Sequence, residues 1–337
     1  MKAPVDKNAE VPKRPAFLIT IDTEGDNIWD NPSEIKTENS RFLPRFQELC
    51  EKYGLKPTYL TNYEMARSDR FVDFARDAVE RGMAEVGMHL HAWNSPPVGA
   101  GPSREGMPYL IEFPEPVMRD KVKVMTELLE GRVGKRPVSH RAGRWAFNEA
   151  YAKILIDEGY TTDCSVTPHV SWRATKGFAD GDGGSDYRGF PTEPYFVDPN
   201  AISRTGTSRL LEVPMTIVAN SSVGARAARS ASKSLPQPVT KVVNRIFPSV
   251  SWFRPNGRNL GSMLRLLHRR SRSSYIEFML HSSELMPGGS PTFRTERSID
   301  QLYEQLEQIF AAAENSCLGA TLGEFREAFE GRAGQAV

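Results

Sequence analysis

Three carboxylates, Asp22, Glu24 and Asp26, fall within five positions directly after the apolar run Ala16-Phe17-Leu18-Ile19. A buried strand opening into an acidic loop is how parallel α/β sheets present a site. His89 and His91 lie two apart, a spacing that puts both imidazoles on one face of extended backbone. Two imidazoles and one carboxylate suit Zn²⁺ or a similar divalent ion. A second carboxylate nearby can then act as general base toward an attacking water. The acidic loop supplies both roles, and spacing alone leaves Glu24 and Asp26 open as the ligand.

Further chemistry falls at other strand ends. His281 follows the apolar stretch Phe278-Met279-Leu280, where it is placed to protonate a leaving amine. Arg141, within Ser139-His140-Arg141-Ala142-Gly143-Arg144-Trp145, is placed to orient the base through a charge-assisted hydrogen bond. Arg144, Trp145 and Trp93 are candidates for substrate binding, the indoles by stacking on sugar rings, with Trp172 a further stacking candidate.

Short apolar runs alternating with helical periodicity must position these groups, and that alternation predicts β/α units on a parallel sheet or barrel. Strands are expected at Phe17 to Ile21, Pro57 to Thr61, Ala84 to Met88, Pro137 to His140, Thr161 to Val166, Leu210 to Val213 and Tyr275 to Leu280. Helices are expected from Ser40 to Gly54, from Ser68 or Asp69 to Gly82, and over Val117 to Leu129. Two more are expected over Asn148 to Glu158 and from Ser298 to about Glu314. Residues 94–116 read as a long loop of the functional kind, and residues 177–200 as irregular chain.

The chain has 337 residues, 39% apolar and 25% charged, with a formal charge of +1, which fits a globular protein with a substantial core. Three cysteines without CxxC spacing argue against a disulfide framework or a thiolate zinc site. With no apolar leader in residues 1–15 and no run of eighteen apolar residues, a cytoplasmic location is expected. The expected organisation is an N-terminal tail over residues 1–15, one domain over 16–330 with long loop insertions, and a C-terminal tail over 331–337.

Within that domain, the segment from Val213 to Ile276 contains no Asp or Glu and carries Arg226, Arg229, Lys233, Lys241, Arg245, Arg254, Arg258, Arg265, Arg269, Arg270 and Arg272. Such segregation creates a local positive field. As a basic insertion at about 219–274 it would face a solvent shell, a phosphate-linked sugar or the inner membrane surface as a peripheral contact, with RNA the weakest fit.

The order of motifs resembles the polysaccharide deacetylase family, also known as carbohydrate esterase family 4 or the NodB homology domain, in its bacterial surface-polysaccharide and O-antigen branch. The resemblance rests on Thr20-Ile21-Asp22-Thr23-Glu24, Glu85-Val86-Gly87-Met88-His89-Leu90-His91, His140-Arg141-Ala142-Gly143-Arg144-Trp145, Asp163-Cys164-Ser165-Val166-Thr167-Pro168 and Met279-Leu280-His281-Ser282. It implies a distorted (β/α)7–8 barrel and a divalent metal, Zn²⁺ foremost, serving hydrolysis of an N-acetyl or O-acetyl group on a sugar. In that scheme Asp22 is the base, His89 the first histidine ligand, Arg141 the tether of the base and His281 the acid. The family's adjacent Asp-Asp is here Asp22-Thr23-Glu24, which makes Glu24 the metal carboxylate, with Asp26 as alternative. Where the family has its second histidine this chain has Trp93, so His91 takes that place. The expected substrate is an acetylated sugar, sugar phosphate or lipid-linked saccharide. The rival readings are a non-catalytic glycan-binding or assembly protein on the same fold, and a deformylase or amidase.

Overall fold

Strand β1, Ala16–Thr23, is buried along nearly its whole length, with helices on one face and the barrel interior on the other. The computed structural model describes residues 14–28, 32, 34–98, 107–220 and 249–333. Beyond β1 the strands are β2 Pro57–Thr61, β3 Glu85–Leu90, β4 Ser139–Ala142, β5 Thr162–Asp163, β6 Tyr195–Asp198, β7 Ala201–Thr205, β8 Leu211–Glu212, β9 Ile217–Ala219, β10 Val250–Trp252, β11 Tyr275–His281 and β12 Leu318–Ala320. The main sheet runs β11-β1-β2-β3-β4-β5-β8-β6-β7, parallel from β11 to β8 and antiparallel thereafter. The second edge of β1 is shared, with β12 along Ala16 to Leu18 and β2 along Ile19 to Thr23.

A side-chain contact shows that the sheet curls. β4 is three places from β1, which in a flat sheet would separate them by about 14 Å at ~4.8 Å per strand. Yet Arg141 Nη1 lies 2.5 Å from Asp22 Oδ1, and Nη2 lies 2.8 Å from Thr20 Oγ1 while also pairing with Glu277 of β11. Only a sheet wrapped round a common axis brings these strands within reach of one guanidinium. The gap between β8 and β11 is bridged without a ladder: Glu277 N donates to Thr216 Oγ1 at 2.9 Å and the Tyr275 hydroxyl donates to Pro214 O. The expected distorted barrel is therefore the fold.

The interior is layered. Leu18, Leu60, Cys164, Leu211 and Tyr275 pack with Leu322 and Phe325 to plug one end. The next layer, Thr20, Arg141 and Glu277, is polar. The register then pairs Asp22 with His281 and His89 with Arg141, which places the candidate chemistry at the strands' carboxyl ends. Outside, Phe17, Ile19 and Ile21 join the large helix-facing core, where Phe17 meets Phe310 at 6.2 Å between centroids.

Several expected boundaries shift for identifiable reasons. The helix expected to begin at Ser298 spans Glu296–Ser316, because Thr295 caps it: its side chain accepts from Ser298 N while Ser298 Oγ accepts from Thr295 N. The helix expected from Ser40 begins at Leu43 after a 3₁₀ turn over Glu38–Phe42, and the one expected over Val117 to Leu129 extends over Glu115–Val133. The strand expected over Thr161 to Val166 stops at Asp163, since Ser165 N turns to Asp163 Oδ2 and Val166 N to Glu212 Oε1 instead of a ladder. Residues 195–205 form the β6–β7 hairpin where irregular chain was expected up to residue 200. The basic stretch carries β10, paired with β9, and a helix over Leu260–Arg269. Its Arg226, Arg229, Lys233, Lys241 and Arg245 lie outside the described residues, as does most of either expected tail.

Candidate metal and active site

Glu24 is the first residue beyond β1, and its peptide is fixed from both sides. Its N–H donates to Ser282 Oγ at 3.1 Å, and its carbonyl accepts from Asn39 Nδ2 at 2.9 Å. Gly25 follows because any Cβ there would sit 2.0 Å from Ile35 Cγ2. Asp26 turns away from the cluster. Its carboxylate accepts from Glu38 N, Asn39 N and Asn39 Nδ2 at 2.7–2.9 Å, and so holds the amide that holds Glu24.

His89 lies inside β3 and His91 just past its end. His89 Nδ1 donates to Arg141 O at 2.9 Å, because a carbonyl can only accept, and this aims Nε2 at the acidic loop. His91 Nε2 lies 2.9 Å from Glu24 Oε2 and 3.0 Å from His89 Nε2, and His89 Nε2 lies 3.5 Å from Glu24 Oε2. Glu24, His89 and His91 form the one group of three buried ligand side chains so gathered among the described residues.

Asp22 stands beside them, its Oδ2 3.9 Å from His89 Nε2 and 3.7 Å from His281 Nε2, its Oδ1 tethered by Arg141. Burial alone would raise the Asp22 carboxyl, but the charges of Arg141, His89 and His281 outweigh it and hold the pKa below the usual range. Burial opposes ionisation of Glu24 too, and hydrogen bonds from His89 and His91 more than compensate, keeping it well below the ordinary value. Burial disfavours an imidazolium at His89, yet Asp22 and Glu24 push its pKa up. At His91 burial prevails and pushes it down.

His281 is held from behind. Its Nδ1 lies 2.9 Å from Arg254 Nη2 and 3.3 Å from Glu284 Oε2, and Glu284 Oε2 also accepts from His281 N at 3.0 Å. Against its burial, Arg254 and His281 bring Glu284 down to about 2. In the layer below, burial pushes Glu277 up to about 7 despite Arg141.

Above these groups is a cavity of about 330 Å³ whose wall includes Trp93, Tyr109, Arg144, Trp145 and Trp172. Trp93 packs on His91 with ring centroids 4.3 Å apart, and the Trp145 ring lies 4.8 Å from the Arg141 guanidinium carbon. Arg144 spends its guanidinium on the wall itself. It donates to Met107 O and Lys176 O and lies 4.1 Å from the Tyr109 ring centre. Arg144 and Trp145 are consecutive left-handed residues, with φ of 54° and 62°, a conformation costing about 1–3 kcal/mol per residue and characteristic of sites where a side chain must be aimed.

No family profile matches this chain, and no curated protein matches it in sequence. In three dimensions it is similar to a protein named as a glycoside hydrolase/deacetylase from Parabacteroides distasonis, with a TM-score of 0.61 and 12% identity over 94% of this chain and 72% of that one. It is also similar to one named as a polysaccharide deacetylase from Mycobacterium smegmatis, with a TM-score of 0.51 and 14% identity over 96% and 94%. A 4-alpha-glucanotransferase from Thermococcus litoralis matches at 0.50 and 13% identity, with 93% of this chain lying on 40% of that one. The chain has the distorted α/β barrel fold of the deacetylases. In that barrel the groups predicted from sequence as Asp22, Glu24, His89, His91, Arg141 and His281 stand together, Trp93, Trp145 and Arg144 line the cavity, and Asp26 does not join them.

The donor set fits a divalent ion. An ion about 2.0–2.1 Å from each of three donors in tetrahedral geometry sets them about 3.3–3.4 Å apart, and the observed separations of 2.9, 3.0 and 3.5 Å straddle that figure. Sequence reading did not assign Glu277, Thr20, Arg254 or Glu284. A glutamate inside the otherwise apolar Tyr275–Leu280, in phase with His281, was the available signal for the first. Glu284, at capping-box spacing three residues after His281, had a local signal as well, whereas Thr20 and Arg254 have none, since their partners are distant in the chain.

Proposed function

We propose that this chain is a metal-dependent carbohydrate deacetylase. It hydrolyses an N-acetyl, or an O-acetyl, group on a sugar of a surface-polysaccharide precursor or lipid-linked intermediate, with Zn²⁺ as the ion. The observation that carries the reading is the convergence of Glu24, His89 and His91 beside an Asp22 that Arg141 holds in place. Glu24, His89 and His91 would hold the ion, which when bound supplies Lewis acidity toward the acyl carbonyl. Asp22, ionised and with Oδ1 occupied by Arg141, presents Oδ2 to the cavity and takes the proton of the attacking water. His281 Nε2, 3.7 Å from that oxygen, gives a proton to the departing amine, while Arg254 and Glu284 fix its ring. Trp93 and Trp145 shield the reacting centre from water and offer faces to the sugar.

The test is metal content together with acetate release from acetylated sugars. Wild-type protein should carry close to one equivalent of metal. Asp22→Asn should retain it while losing about 10²–10⁴-fold in rate, the usual worth of a general base. Protein without stoichiometric metal whose Asp22→Asn variant releases acetate undiminished would sink the mechanism, and release of formate or ammonia instead would change the acyl group or the reaction.

A further inference from the structure

Arg254 stands where the site meets a second cavity. It lines both the 330 Å³ space above the ligands and an adjoining space of about 390 Å³ whose walls include Trp252, Asn256, Asn259 and Ser262. Its Nη2 is committed to His281 Nδ1 and Glu284 Oε2, each at 2.9 Å. Among the described residues, its Nε and Nη1 have no hydrogen-bond partner, and the side chain is 28% exposed. The other cavity arginine, Arg144, has both terminal nitrogens on carbonyls. Arg254 therefore has separate N–H donors, on Nε and Nη1, to offer a ligand. Beyond it the chain continues through exposed Arg258, Arg265, Arg269 and Arg272 with no carboxylate among them before Glu277. A guanidinium with donors to spare, amide and hydroxyl walls, and a following stretch of arginines of which Arg270 pairs with Glu193 suits a tetrahedral oxyanion ester.

We propose that Arg254 reads a phosphoryl group on the sugar: the acetylated ring occupies the first cavity, and its phosphoester oxygens meet Arg254 at the entrance to the second. This deepens the deacetylase reading and rests on it for the identity of the sugar. The shared chemistry is a sugar phosphate, whether water-soluble or esterified to a lipid.

Equilibrium binding followed by tryptophan fluorescence tests this without turnover. The ligands are N-acetylglucosamine, its 1-phosphate, the 1-phosphate esterified to a short prenyl alcohol, and N-acetylmuramic acid as an N-acetylated sugar bearing a carboxylate. The 1-phosphate should bind at least about 10-fold more tightly than the neutral sugar, as a charge-assisted pair implies. The prenyl ester should match it. In Arg254→Gln the preference should vanish while the neutral sugar still binds, and Arg254→Lys should retain part of it. Equal affinity for phosphorylated and neutral sugars overturns the proposal, as does a preference that survives in Arg254→Gln. Affinity confined to the prenyl ester assigns binding to the tail and also overturns it, and so does tighter binding of the carboxylate sugar. A phosphate preference without acetate release would leave Arg254's role standing and fail the deacetylase reading instead.

Discussion

At the residue scale the chemistry depends on which of several neighbouring carboxylates are free to act. Asp22, near the end of β1, and Asp26, in the loop after it, are four positions apart, yet Asp26 is occupied by the amides of residues 38 and 39 while Asp22 faces the histidines. Removing the carboxylate from Glu24 should therefore be specific. Glu24→Gln should abolish stoichiometric metal, read by elemental analysis, whereas Asp26→Asn should keep the metal and lower stability by about 1 kcal/mol through a weakened cap. Glu277 makes a prediction about pH. Its carboxyl is raised to about 7 in the fold against 4.5 normally, so the folded state binds more protons between those values and stability falls as pH rises from about 4.5 to 7. The span is worth about 3 kcal/mol at ~1.4 kcal/mol per unit. Denaturant midpoints across that window should show the fall in wild type, with Glu277→Gln flattening it.

At the scale of elements, β3 is the part that carries both histidines, and its tolerance is narrow. Gly87, two residues before His89 on the same face, has Ser139 O within 2.6 Å and Leu60 Cδ2 within 2.8 Å of where a Cβ would stand. The first of those is backbone of the neighbouring strand and cannot step aside. Gly87→Ala should cost about 1–3 kcal/mol by pushing β3 from β4, and should weaken metal retention because His89 Nδ1 would lose its register on Arg141 O. A variant whose melting and metal content both match wild type would show that β3 has slack which the packing does not suggest.

At the scale of the whole molecule, the barrel interior is held by charge where such interiors are commonly apolar. Arg141 is fully buried and spans three strands, bonding Asp22 and Thr20 on β1 and Glu277 on β11. Removing it leaves carboxylates buried without a counter-charge, so Arg141→Met should destabilise by about 3–5 kcal/mol. Adding Glu277→Leu and Asp22→Asn should recover most of that stability without restoring any acetate release. Recovery is expected because no uncompensated charge then remains buried in that layer, and activity stays lost because the base is gone. No helix of the described residues is long and apolar enough to cross a membrane.

What the sequence determined by itself was local. Alternation of short apolar runs with helical periodicity specified a parallel α/β architecture, because period and run length follow directly from backbone geometry. Carboxylates, histidines and an arginine at strand ends marked Asp22, Glu24, His89, His91, Arg141 and His281 as belonging together, since parallel strands converge at one edge. The tertiary structure decided what depends on curvature and on competition for partners. It turned Asp26 to a capping role, committed Arg144 to the cavity wall, and brought Arg254 behind His281 from a stretch with no motif of its own. Linear spacing cannot express these outcomes. The polar layer is a further case: a curled sheet brings Thr20 within hydrogen-bond distance of Arg141, 121 positions away, and of Glu277, 257 positions away, and each buried group takes a partner that satisfies it.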